Sequence, residues 1–169
     1  MITSLVLTIL GPDRPGLVDR IADIVSRHEG SWQESRMARM SGQFAGILRV
    51  ECPADVREVL EKDLAALSAD GLHVGVAREG ESSEVTSGPV VTLDITGHDE
   101  PGIVKRIAST LASLAVNVEE LETSLESAPM AGHLLFCTKG KVRLPENLSM
   151  VELVSALEEV GTDLTVDIQ

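Results

Sequence analysis

The chain has 169 residues, 43% of them apolar, and carries 14 basic against 27 acidic side chains. This is the composition of an ordinary globular protein, without any apolar run near the ~20 residues that span a bilayer. The net charge of −13 argues against direct binding of nucleic acid, which needs clustered Lys and Arg.

The acidic excess is uneven: residues 1–79 carry 9 basic and 12 acidic groups, residues 80–169 carry 5 and 15. Met1-Ile2-Thr3-Ser4-Leu5 has no basic stretch and runs directly into an apolar alternation, so a cytoplasmic protein without a signal peptide is expected. Cys52 and Cys137 have no Cys-x-x-Cys or Cys/His spacing around them and read as reduced thiols.

In chain order, Leu5, Leu7 and Ile9 alternate with Ser4, Val6 and Thr8 and predict a strand with one apolar face. Leu17, Ile21, Ile24, Val25 and His28 then recur at helical spacing, and Gly30 is expected to end that helix. A strand over Ser31 to Met40 follows, then a turn at Ser41-Gly42-Gln43. The next strand has Phe44, Gly46, Leu48, Val50 and Cys52 on one face. Asp55, with Glu58 three residues on, predicts an N-cap for a second helix with Val56, Val59, Leu60, Leu64 and Leu67 as its stripe. Gly71 closes it, and Leu72, Val74 and Val76 supply a last strand.

Residues 80–88 have no periodic pattern and read as a linker. The order then repeats: a strand at Val91, Leu93 and Ile95, a helix at Ile103, Ile107, Leu111 and Leu114, a strand over Asn117 to Glu126, a Pro129/Gly132 turn, and a strand around Leu134 to Thr138. A Ser149/Glu152 capping box opens the last helix, and Leu164 to Ile168 forms the last strand. Each half reads βαββαβ. This predicts an α+β protein of two tandem ferredoxin-like domains, 1–79 and 89–169, each an antiparallel sheet with both helices on one face. Units this small gain by packing together, so a homo-oligomer is expected.

The most informative feature is a duplicated loop. Gly11-Pro12-Asp13-Arg14-Pro15-Gly16-Leu17-Val18 returns 86 positions later as Gly97-His98-Asp99-Glu100-Pro101-Gly102-Ile103-Val104. Pro15 and Pro101 suit a first helical position, and Asp13 and Asp99 can accept from first-turn amides. That alone would make two well-started helices. The alternative is a pocket in which the positive helix end and bare Gly16 and Gly102 receive a small carboxylate while the Asp handles an ammonium. Arg14 against Glu100 makes the two copies unequal: a carboxylate should prefer the first loop, and Glu100 can hold an ammonium.

This Asp-x-Pro-Gly loop after a first strand, set twice in βαββαβ, resembles the ACT domain family. The segments Asn117 to Thr123, Ala128 to Gly132 and Leu144-Pro145-Glu146 are similar to the second half of glycine cleavage repressor-like regulators within it. The resemblance implies a sensor binding a small amino acid, glycine or one like it, where the loop of one unit meets a neighbouring unit. The implied ligand residues are Pro12, Asp13, Arg14, Pro15, Gly16, Leu17 and Ser31 in the first copy. In the second they are His98, Asp99, Glu100, Pro101, Gly102, Ile103 and Asn117. It further implies action through a DNA-binding transcriptional activator, and no cofactor. Trp32 is expected near the first loop.

Other readings are weaker. An Arg in the first loop of a ferredoxin-like unit also resembles acylphosphatases, but their glycine-rich phosphate loop and partner Asn are missing, and no Ser/His/Asp or Cys/His constellation can be assembled. His98-Asp99-Glu100 cannot converge on one metal ion from one tight loop, and His28, His73 and His133 are isolated. Phe44, Phe136 and Trp32 with no Tyr are too few for an RNA-stacking sheet. The remaining rival is a protein-interaction module, binding no small molecule, that regulates a metabolic enzyme or transport system.

Overall fold

Strict alternation along the first strand decides which side of its sheet is dry. In the computed structural model, which describes residues 1–78, 87–127, 134–161 and 163–169, the chain divides into two compact units, Met1–Glu81 and Ser82–Gln169. The first holds β1 (Ile2–Pro12), α1 (Leu17–Arg27), β2 (Ser31–Met40), β3 (Gln43–Pro53), α2 (Arg57–Ala66), a 3-10 turn at Leu67–Asp70, and β4 (His73–Arg78). The second holds β5 (Val90–His98), α3 (Ile103–Ser113), β6 (Asn117–Ser127), β7 (Leu134–Arg143), α4 (Met150–Glu158) and β8 (Thr165–Ile168). Strand orders are β2-β3-β1-β4 and β6-β7-β5-β8, every pair antiparallel, as a split βαβ requires.

Leu5, Leu7 and Ile9 of β1 and Leu48, Val50 and Cys52 of β3 are buried with Leu17, Ile21, Ile24 and Val25 of α1 and Leu60 and Leu64 of α2. Both helices therefore cover the same face. Leu93, Ile95 and Val142 do the same in the second unit, under Ile103, Ile107 and Leu111 of α3 and Leu153 and Leu157 of α4. A fully buried leucine contributes on the order of 1.5–3 kcal/mol. Leu10 and Ile47 fall on the opposite face of the first sheet and stay exposed. Burial pushes the Cys52 thiol pKa up.

Several helix ends differ from expectation. The left-handed residue closing α1 is Glu29 (φ 54), not Gly30. Glu29 N–H reaches Ser26 carbonyl and Gly30 N–H reaches Val25 carbonyl at 2.8 Å, the Schellman pattern. Ala115 does the same after α3, with Val116 N–H on Leu111 carbonyl. Asp55 does not cap α2: the cap residue is Val56, itself helical and with no side-chain bond. A backbone turn, Val56 N–H to Pro53 carbonyl, already starts the coil there. Val59 is exposed, so the stripe of α2 is narrower than its sequence suggests. Leu72 is buried but precedes β4. The second-unit hairpin strand runs on from Thr138 to Arg143. By contrast, Ser149 and Glu152 do form their capping box. The Pro129/Gly132 turn and His133 lie outside the described residues, as does most of the expected linker.

Candidate functional site

The duplicated loops join β1 to α1 and β5 to α3. Gly16 and Gly102 are the cap residues of these helices, with φ +87 and +84, a region that L side chains rarely adopt. Nothing lies within 4 Å of where a β-carbon would sit on either. This geometry corrects two expectations. Pro15 and Pro101 stand one residue before the cap rather than at the first helical position, and Asp13 and Asp99 do not cap, since neither helix has a side-chain cap. The left-handed glycine turns the chain before the helix begins, so an Asp three residues earlier is out of line with the first-turn amides.

What faces each loop is set by hairpin register. Ser41 (φ 49) and Gly42 (φ 80) form a two-residue turn with both central residues left-handed, the type I′ hairpin. Met40 therefore pairs with Gln43 and Arg39 with Phe44, and Phe44 pairs with Gly11 at the base of the loop. In the second unit Leu125 pairs with Phe136 and Phe136 with Gly97. Arg39 and Leu125 are thus equivalent, each beside a phenylalanine shared by both copies.

Arg39 Nε donates to Asp13 Oδ2 at 2.5 Å, and Asp13 N–H donates to the Gly42 carbonyl at 2.9 Å. Arg14 turns away from the loop, donating to the Asp70 carbonyl at 2.6 Å. The Arg20 guanidinium hydrogen-bonds the Asp70 carboxylate and holds its pKa below the usual carboxylate range. In the second unit Asp99 N–H donates to the Leu134 carbonyl at 3.2 Å, and Glu100 pairs with Arg106 at 2.7 Å. Asp99 has no side-chain partner among the described residues. A cavity of about 420 Å³ opens there, lined by Asp99 to Val104 from the loop and Thr123, Ser124, Leu125 and Phe136 from the sheet.

Asp99, Glu100, Pro101, Gly102 and Ile103 are therefore brought together around one space. Asp13, Arg14, Pro15, Gly16 and Leu17 share the matching loop of the first unit, where Arg39 takes up Asp13. His98 and Pro12 end their strands, His98 in register with Leu135 and so on the sheet face opposite Phe136. Ser31 and Asn117 pair with Glu51 and Arg143, at the far end of β2 and β6 from their own unit's loop, roughly 25 Å of strand away. Trp32, in register with Val50, is at that far end too. Among the described residues, no three His, Cys, Asp or Glu side chains could hold a metal ion, and no helix is long and apolar enough to cross a membrane. Arg39, Thr123, Leu125 and Phe136 were not identified from sequence. The signal that finds Arg39 and Leu125 is hairpin register rather than any motif.

A family model for the ACT domain matches residues 3–76, the span from β1 into β4. The match falls within the first unit, and the second unit repeats its architecture. A crystal structure of an unknown protein from Galdieria sulphuraria is 29% identical, with TM-score 0.85 over 100% of this chain and 98% of its own. A structure assigned as a glycine cleavage system transcriptional repressor is 17% identical, with TM-score 0.70 over 100% of this chain and 97% of its own. The two-unit fold is therefore shared over nearly the full length of both. No curated protein sequence matches the chain. The order of strands and α-helices is the same in the first unit and in the unit that follows it, which is the duplication the repeated loops announce.

Proposed function

We propose that the chain is an amino-acid-sensing regulator of the glycine cleavage repressor type, whose ligand enters at the β5–α3 loop. In this reading it acts on transcription through a DNA-binding activator. The single observation that carries the reading is the cavity at Asp99, where a carboxylate with no side-chain partner among the described residues faces open space beside a left-handed glycine. Asp99 receives the ligand's ammonium, and the first-turn amides at the positive end of α3 favour its carboxylate. Ser31 and Asn117 cannot reach their own loops, so they join a site only where the β2 or β6 end of a neighbouring unit approaches, as in a homo-oligomer. The net charge of −13 favours a basic protein partner over a phosphate backbone.

The test is a thermal-shift screen of the full chain against the common amino acids, glycine included, followed by calorimetry on any that act. A ligand at a hundred times its Kd stabilises a protein by about 2.7 kcal/mol, which for this chain length raises Tm by about 5–10 °C. If no amino acid moves Tm, the sensing reading falls and the interaction module takes its place. Trp32 fluorescence is a poor substitute, given its place at the far end of β2.

A further inference from the structure

The two loops share their left-handed glycine cap and a phenylalanine in register beside them, and among the residues in which they differ Arg39 against Leu125 decides what meets the aspartate. In the first unit the Arg39 guanidinium lies on Asp13 at 2.5 Å. In the second, Leu125 stands in register at the same place, half exposed and lining the cavity, and Asp99 keeps no side-chain partner among the described residues. A guanidinium on a carboxylate is the pairing that an amine ligand would make there.

We propose that Arg39 is an internal occupant of the first loop, so that an ammonium-bearing ligand binds preferentially to the second unit. The residue at this position of β2 or β6 decides which loop is open. The identity of the ligand rests on the amino-acid reading above; the occupancy of the first loop by Arg39 does not.

Displacing Arg39 requires breaking an exposed ion pair, which weakens ligand binding by up to about fivefold. The displaced guanidinium stays tethered nearby and repels an incoming ammonium, which adds to that factor. In the second unit neither penalty exists. Leu125 and Phe136 give its cavity an apolar wall, so the fitting ligand carries an apolar group beside its ammonium.

The experiment is an NMR titration of the full chain with glycine and with leucine, reading the amides of 13–18 and 99–104. In the parent chain the second set shifts at concentrations at least about fivefold lower than the first. Arg39→Leu makes both sets shift, with affinities closer to each other than in the parent chain, whereas Leu125→Arg weakens the second set by about fivefold. Both positions are largely exposed, so these variants keep the fold, and the unperturbed loop of each serves as its control. A first-loop response in the parent chain as strong as the second overturns the proposal, as does a silent first loop in Arg39→Leu when the second responds.

If neither amino acid binds any variant, the sensing reading fails, and the occupancy is read with methylguanidinium instead. It should shift the 13–18 amides of Arg39→Ala and not those of the parent chain. Failure of methylguanidinium to distinguish the two overturns the proposal.

Discussion

A β-carbon on Gly11 would lie 2.7 Å from the carbonyl oxygen of Gly71. The end of β1, where the first loop begins, is thus pressed against the backbone turn that closes the 3-10 segment. The partner is main chain and cannot swing aside. Gly97 holds the equivalent place in β5, but there the nearest atom, at 2.4 Å, is the Leu164 Cδ2 methyl, with Asp163 carbonyl at 3.3 Å. Gly11→Ala should therefore destabilise by about 1–3 kcal/mol, the range for overpacking. Gly97→Ala should fall at or below the lower end, since Leu164 can change rotamer. Urea denaturation of both variants checks the order; a larger loss for Gly97→Ala would contradict it.

Gly16 and Gly102 are constrained by conformation rather than by crowding. Each has φ above +80 and open space around the missing β-carbon. Alanine at either site should cost about 1–2 kcal/mol from the left-handed backbone alone, and asparagine, which tolerates that region, less. The two sites should differ in their effect on ligand. Gly102→Ala puts a methyl into the cavity at Asp99 and should weaken amino-acid binding at least tenfold, about 1.4 kcal/mol. Gly16→Ala, in the loop taken up by Arg39, should lower Tm and leave affinity in place. Calorimetry on the pair separates the two effects.

What the sequence makes legible is what depends on local pattern. Burial of Leu5, Leu7 and Ile9, and of Leu17, Ile21, Ile24 and Val25, follows from periods of two and 3.6 that need no tertiary knowledge. The duplicated loop gives the repeat directly. Arg39 meeting Asp13 does not follow from such patterns, because the two are 26 residues apart and meet only once the Ser41-Gly42 turn sets the register. The same dependence hides the vacancy opposite Asp99, which exists because Leu125 occupies Arg39's place. Arg14 reads as a ligand cation from its position in the motif, yet its long side chain is drawn to the carbonyl of Asp70, at the end of a 3-10 turn the sequence does not announce. Helix ends fail for a related reason: Asp55 has capping chemistry, but a backbone turn from Pro53 has already started α2.

The capping box of α4 makes a pH-dependent contribution with a definite sign. Ser149 Oγ accepts from Glu152 N–H at 3.2 Å, while Glu152 Oε2 accepts from the Ser149 backbone N–H at 2.9 Å and from its hydroxyl at 2.7 Å. These bonds to the hydroxyl and the amide of Ser149 hold the Glu152 carboxyl pKa below its ordinary range. A carboxylate whose folded pKa is depressed stabilises above the unfolded pKa and loses that contribution as pH falls through the folded value. Ser149→Ala should therefore cost about 1 kcal/mol at neutral pH, and its Tm deficit against the parent chain should narrow below about pH 4. A deficit that widens in acid would reverse the assigned sign. Melting curves at pH 7, 5 and 3 suffice.

The edge strand that carries Leu125 is tied down by an unusual buried hydroxyl. Thr138 on β7 is 2% exposed, sits in register with Thr123 of β6, and donates from Oγ1 to the Glu122 carbonyl at 2.9 Å. Thr123 lines the cavity, so this bond secures one wall of the proposed site. Thr138→Val keeps the shape and removes the donor, leaving the carbonyl of an edge strand to find water. The expected loss is about 1 kcal/mol of stability, with faster hydrogen exchange confined to β6 around Thr123 and Leu125. Binding to the second unit should weaken by a few fold while the amides of the first unit stay unchanged. If exchange speeds up across the whole second unit instead, Thr138 supports the core as a whole and not the wall of the cavity.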